Sequence, residues 1–148
     1  AECWLNAVAA ARLDAVQREL EQQGLGLKVW DCYRPLSVQK KFWALVPDER
    51  YVANPAKGSR HNRGAAVDLT LVRADGTELP MPTPHDDFTV RAHRDFTDLP
   101  PEVVANRALL EKVMVKHGFV PFPTEWWHFD SEGWQSFPVM DVDFSSLQ

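Results

Sequence analysis

From Ala65 to Val72 the side chains alternate as they do on a β-strand, with Val67, Leu69 and Leu71 on one face and Ala66, Asp68 and Thr70 on the other. The apolar face belongs in a core, so the opposite face carries a carboxylate, on a residue type that forms strands poorly. Something must compensate for Asp68 there, and a metal ion would. The preceding loop, Ser59-Arg60-His61-Asn62-Arg63-Gly64, offers a second donor, because Gly64 and Ala65 leave room for His61 to fold back toward Asp68. Any fold that accepts this strand must keep a polar site on one side of a sheet and a packed core on the other.

The flanking pattern predicts what surrounds the strand. Leu5, Ala9, Leu13, Val16 and Leu20 recur at helical spacing without Pro or Gly, and Gly24 stands where a C-terminal cap belongs. Leu25 to Cys32 alternates again, Leu27, Val29 and Asp31 on one face and Lys28, Trp30 and Cys32 on the other, and this strand delivers Tyr33-Arg34-Pro35 at its end. Ser37 is expected to cap a short helix through Leu45 that turns Val38, Phe42 and Leu45 to the core, with Pro47 ending it. A loop then runs to Gly64. Ala74-Asp75-Gly76-Thr77 signals a turn into a return strand near Glu78 to Leu79. Pro80 to Pro101 reads as a long functional loop, Pro101 to His117 as a second long helix stopped by Gly118, and 119–123 and 126–130 as short strands.

A chain of 148 residues can close one core, and a single domain over 1–148 is expected. The formal charge of −5 gives no basic field for nucleic acid or anionic lipid. No apolar run approaches the ~20 residues that span a bilayer. Cys3 and Cys32, the two cysteines, are read first as small buried hydrophobes, with a single bridge across the 28 intervening residues as the alternative an oxidising compartment allows.

A second cluster, Glu125-Trp126-Trp127-His128, answers the first. His61, Asp68 and His128 make three ligands and Glu125 a spare carboxylate, the set that metal-assisted hydrolysis needs. Pro121, Pro123 and the aromatics disfavour the helix of an HExxH site. On an extended segment Glu125 and His128 point to opposite faces, so Glu125 must lie at a bend or bulge before the strand. Glu125 then suits the general base, and Arg34, locked by Pro35, suits oxyanion stabilisation. The plainer alternatives are a surface His61, an Asp68 paired with Arg60 or Arg63, an Arg34 paired with Asp31, an acidic loop residue at 125 and an aromatic-packed His128.

Ser59-x-His61-x-x-Gly64-x-Ala66-x-Asp68 followed by Glu125-x-x-His128 resembles the signature of the zinc D,D-peptidases, and most closely the D-alanyl-D-alanine dipeptidases known from vancomycin resistance. Trp30-Asp31-Cys32-Tyr33-Arg34-Pro35, the strand around Asp68, Leu79-Pro80-Met81 and the doubled tryptophan extend the likeness over essentially the whole chain. It implies an α+β fold, a small mainly antiparallel sheet flanked by helices in the hedgehog-like arrangement of these peptidases. It further implies one Zn²⁺ on His61, Asp68 and His128, Glu125 as general base, Arg34 at the transition state, Asp86 on the substrate ammonium and Ser59 at the carboxylate end. His85 stands where the family often has an aromatic, Asp87 rivals Asp86, and a family N-terminal segment that walls the cavity is expected to precede this chain. The implied activity is hydrolysis of D-Ala-D-Ala in peptidoglycan precursor metabolism, with D,D-carboxypeptidase or endopeptidase action on longer stem peptides as the alternative and a metal-stapled binding module as the non-enzymatic one. The expected partner is a small dipeptide and the expected setting bacterial, with the periplasm or cell envelope favoured over the cytoplasm.

Overall fold

Asn6 starts the first helix by accepting the Ala9 N–H on its side chain at 2.8 Å, and α1 (Ala7–Glu21) buries Ala9, Val16 and Leu20 along the predicted stripe. The computed structural model describes residues 2–49 and 52–147. After α1 come β1 (Leu25–Asp31), α2 (Leu36–Leu45), β2 (Ala66–Arg73), α3 (Pro101–Lys116), β3 (Phe119–Pro121) and β4 (His128–Ser131). The strands form one antiparallel sheet in the order β1-β2-β4-β3. Val16 and Leu20 of α1 and Leu110, Val113 and Met114 of α3 enter one buried cluster with Val67, Leu69, Leu71, Phe119 and Phe129 of the sheet. This is the α+β arrangement that the family resemblance implies, and no described helix is long and apolar enough to cross a membrane.

Register decides which side chains face the core and which face the site. Val67 pairs with Phe129 and both are fully buried, whereas the next pair, Asp68 and His128, lies on the other face. On the opposite edge of β2 the pairing slips, Val29 meeting Leu69 but Asp31 meeting Asp68. Strict alternation would leave Asp31 on the face of Val29, and the extra residue at Trp30 corrects this by turning Asp31 to the site face. Asp31, Asp68 and His128 therefore stand in one row across three strands.

Several local expectations change. Ser37 does not cap α2, which begins at Leu36 after Pro35; the Ser37 N–H lies in the first turn and donates to Asp141 Oδ1 at 2.7 Å. Nor does α2 send Phe42 and Leu45 inward: they are 44% and 80% exposed, while Gln39 is fully buried. The helix sits beside the site rather than over the core, and its inner face is polar because Gln39 bridges Arg34 and the Ala53 carbonyl, each at 2.7 Å. The return strand after Gly76 shrinks to a single bridge between Val72 and Glu78. Gly64, at φ +59, serves the N-terminal segment more than Asp68, since a Cβ there would stand 2.9 Å from the Asn6 nitrogen.

Cys3 and Cys32 are joined in a disulfide, so the alternative reading of the pair holds and the first one fails. The reason is positional: the Tyr33 N–H donates to the Trp4 carbonyl at 2.8 Å, which lays residues 3–4 beside the end of β1. With a sequence separation of 29, the cross-link should stabilise the fold by about 3–4 kcal/mol through the unfolded state. Urea unfolding of a Cys3→Ser, Cys32→Ser double variant against the oxidised protein measures this, and coincident midpoints would show that the bridge adds nothing.

Candidate active site

His61 lies in a 3-10 turn, His61–Arg63, immediately ahead of β2, and its ring folds back as anticipated. Its Nδ1–H donates to the Cys32 carbonyl at 2.7 Å, so Nε2 is the ring nitrogen turned to Asp68 Oδ1, 3.4 Å away. His128 is held in the opposite tautomeric sense. Its Nε2–H donates to Asp130 Oδ1 at 2.8 Å, leaving Nδ1 2.9 Å from the same Asp68 oxygen. The three donor atoms lie within 4.8 Å of one another and all three residues are buried. Tetrahedral zinc ligands stand about 3.3 Å apart when each is ~2.0 Å from the ion, so these separations already suit one small divalent cation.

The electrostatics agree with the geometry. Burial opposes ionisation of Asp68, yet the His61 and His128 imidazoles hold its carboxyl well below the ordinary aspartate range. Burial likewise opposes protonation of His128, but hydrogen bonds to Asp130 and Asp68 raise it to about 10. Positive charge between these side chains is therefore strongly favoured. A dication supplies it more strongly than a proton does and would displace that proton.

Glu125 satisfies the geometric demand placed on it, for it falls in the turns between β3 and β4 and not in a strand. The His128 N–H donates to its carbonyl at 3.3 Å, and its carboxylate reaches within 3.8 Å of His128 Nδ1. Burial raises its proton affinity above that of an ordinary glutamate, with Asp68 and Asp86 adding to the rise against His128 and His61. The bend is held from behind. Arg94 donates to the carbonyls of Phe122 at 2.7 Å and His128 at 2.9 Å, and Trp126 spans from the Ala92 carbonyl to Thr83 Oγ1.

These groups line a cleft of about 850 Å³ that also admits Arg34, Ser59, Arg60, Asp86 and His93. Arg34 lines the cleft, and its two terminal nitrogens are engaged by Asp31, the partner the plainer reading gave it, and by Gln39. Ser59 is buried, its hydroxyl accepting the His61 N–H at 3.2 Å. Asp86 is the sole non-glycine with positive φ among the described residues, at +62, a conformation that tends to persist where function holds it. Its neighbour Asp87 does not line the cleft and spends its carboxylate on the Thr89 N–H at 2.9 Å, which removes it as a rival.

Two participants, Asp130 and Arg94, escaped the sequence reading, and a third, Asp31, entered it only as a partner for Arg34. Asp130 could have been found, because two residues along a strand from His128 it must share that face. Asp31 was placed on the wrong face by the unseen register slip, and Arg94 sits in a loop with no period to mark it. Asp130→Ala should weaken divalent-ion binding 10- to 100-fold by freeing the His128 ring. Competition against a chromophoric chelator reads this directly, and an unchanged affinity would exclude Asp130 from supporting the site.

The sequence profile described as D-ala-D-ala dipeptidase, of the M15 peptidases, matches residues 1–146. A D-alanyl-D-alanine dipeptidase of Escherichia coli is 37% identical over 145 residues, covering 98% of this chain and 75% of the relative. Those of Streptomyces coelicolor and Enterococcus faecium are 34% and 36% identical, over 80% and 72% of this chain and 68% and 62% of their own lengths. In fold, the solved LdcB LD-carboxypeptidase superposes with a TM-score of 0.59 at 21% identity, over 89% of this chain and 61% of that one. The chain thus belongs to the D-ala-D-ala dipeptidase family of M15 metallopeptidases.

Proposed function

We propose that this chain hydrolyses D-Ala-D-Ala to two D-alanines, using one zinc ion held by His61 Nε2, a carboxylate oxygen of Asp68 and His128 Nδ1. The observation that carries the proposal is the meeting of this donor set with a protected carboxylate, Glu125, in one cleft. Kinship with the dipeptidases of three bacteria supports the substrate. The ion, when bound, supplies Lewis-acid polarisation of the scissile carbonyl and acidifies water.

The protein groups supply the rest. Glu125 takes a proton from the attacking water as its oxygen bonds to the carbonyl carbon, and its raised proton affinity lets it hold that proton until the C–N bond breaks and the leaving amine accepts it. Arg34 presents permanent positive charge to the oxyanion, and Asp31 and Gln39 fix its position. Asp86 receives the free ammonium of the substrate. A longer peptide has no charge to place there and forgoes that ion pair, which favours a dipeptide over a stem peptide. Ser59, on the His61 side of the cleft, faces the carboxylate end. The Cys3–Cys32 bridge supports an oxidising setting, the periplasm or cell envelope.

Glu125→Ala should keep the metal and lose about 10²- to 10⁴-fold in turnover, whereas His61→Ala should lose the metal itself. Metal content and D-Ala-D-Ala cleavage measured on both variants separate the roles; near-normal rates in Glu125→Ala would remove it from the mechanism. A preference of the wild type for a pentapeptide stem over the dipeptide would replace the substrate assignment.

A further inference from the structure

The two oxygens of Asp68 face different partners. Oδ1 looks toward His61 and His128, while Oδ2 lies 3.2 Å from Nε2 of His85. A metal-ligating carboxylate is deprotonated and only accepts, so that contact is a hydrogen bond donated by the imidazole. The same Nε2 is 3.4 Å from Asp86 Oδ1, so one N–H stands between the carboxylate of the ligand set and the carboxylate proposed for the substrate ammonium. The ring cannot readily swing away. It stacks flat on Trp30, with centroids 4.6 Å apart and planes at 14°, and meets the edge of Trp127 at 5.5 Å. Trp30 is the residue at the β1 register slip, so the irregularity that turns Asp31 to the site also presents the surface on which His85 rests.

We infer that His85 is a positioning residue that restricts Asp68 to one-oxygen metal binding and sets the distance between the metal and the ammonium-binding Asp86. An Asp68 free of this bond would be able to rotate and offer both oxygens to the ion. With Oδ2 occupied, only Oδ1 is presented, which keeps the coordination number low and a position open for water and substrate. The same bond draws the loop bearing Asp86 against β2, and Asp86 holds its left-handed conformation at the next residue. The second half of this inference, the substrate distance, rests on the dipeptide reading; the first does not.

His85→Phe keeps the stack on Trp30 and removes the donor, and His85→Gln returns an amide donor at a reach close to that of Nε2. For His85→Phe, the carboxylate is no longer held in its ligating orientation and the ion must order it, so Zn²⁺ affinity measured by competition with a chromophoric chelator should fall 10- to 100-fold, and His85→Gln should recover much of the loss. At saturating zinc, KM for D-Ala-D-Ala should rise several-fold in His85→Phe with a smaller change in kcat. Thermal melts of the metal-free variants identify a folding defect, which Gln would not repair selectively. A competition curve for His85→Phe that overlays the wild type overturns the inference. So does a wild-type stoichiometry of two ions per chain that drops to one in His85→Phe, since the imidazole would then be a ligand. The affinity arm uses no substrate, so a wild type that binds zinc without cleaving the dipeptide would retire the substrate reading and leave the role of His85 at the metal to be decided by that arm.

Discussion

A buried carboxylate flanked by two imidazoles organises this molecule. Asp68 sits in the central part of the sheet, where an unpartnered charge would cost several kcal/mol, and nearly every polar feature nearby exists to accommodate it. His61 and His128 face one oxygen and His85 the other. Those imidazoles are oriented in turn by the Cys32 carbonyl and Asp130. The arrangement is a layered one in which His61 and His128 each commit one ring nitrogen to an orienting acceptor and turn the other toward Asp68.

The scaffold delivers these groups through strand register rather than through loops alone. Asp31, Asp68 and His128 come from three adjacent strands at paired positions, so their spacing is set by the sheet repeat of about 4.8 Å. Loops then add what a flat sheet lacks. The turn before β2 brings His61 over the edge, the turn before β4 raises Glu125 above it, and the Pro-rich segment lays His85 and Asp86 across the front. The disulfide and the Asn6–Gly64 contact secure the first of these turns from behind, and Arg94 secures the second. A site built this way combines fixed ligands with groups that contact substrate from several directions.

Helix α2 has a different physical character from α1 and α3. Its buried residue is Gln39 and its apolar side chains Phe42 and Leu45 are exposed, so hydrophobic burial does not explain its place. Hydrogen bonds do, through Gln39 to Arg34 and Ala53 and through Asp141 to its first turn. Phe42 lies 5.2 Å beneath the Arg34 guanidinium, so the helix serves as a rest for the cation that faces the cleft.

Much of this was legible in the order of residues. The period of α1, the alternation of β2, the turn residues around Gly76 and Gly118 and the Pro at the start of α3 are local signals, and local sterics and solvation act on them before any tertiary contact forms. Donor chemistry was legible too, since His61, Asp68, Glu125 and His128 are costly residues to place among apolar neighbours. What folding alone decided was relative position: the slip at Trp30 that brought Asp31 to the site, the pairing that set Asp130 behind His128, the meeting of Cys3 with Cys32, and the polar inner face of α2. Each depends on which distant backbone lies alongside, and a one-residue change in register reverses every side chain that follows. Residue type thus determines what chemistry the chain carries, while strand pairing determines which atoms of those residues confront one another.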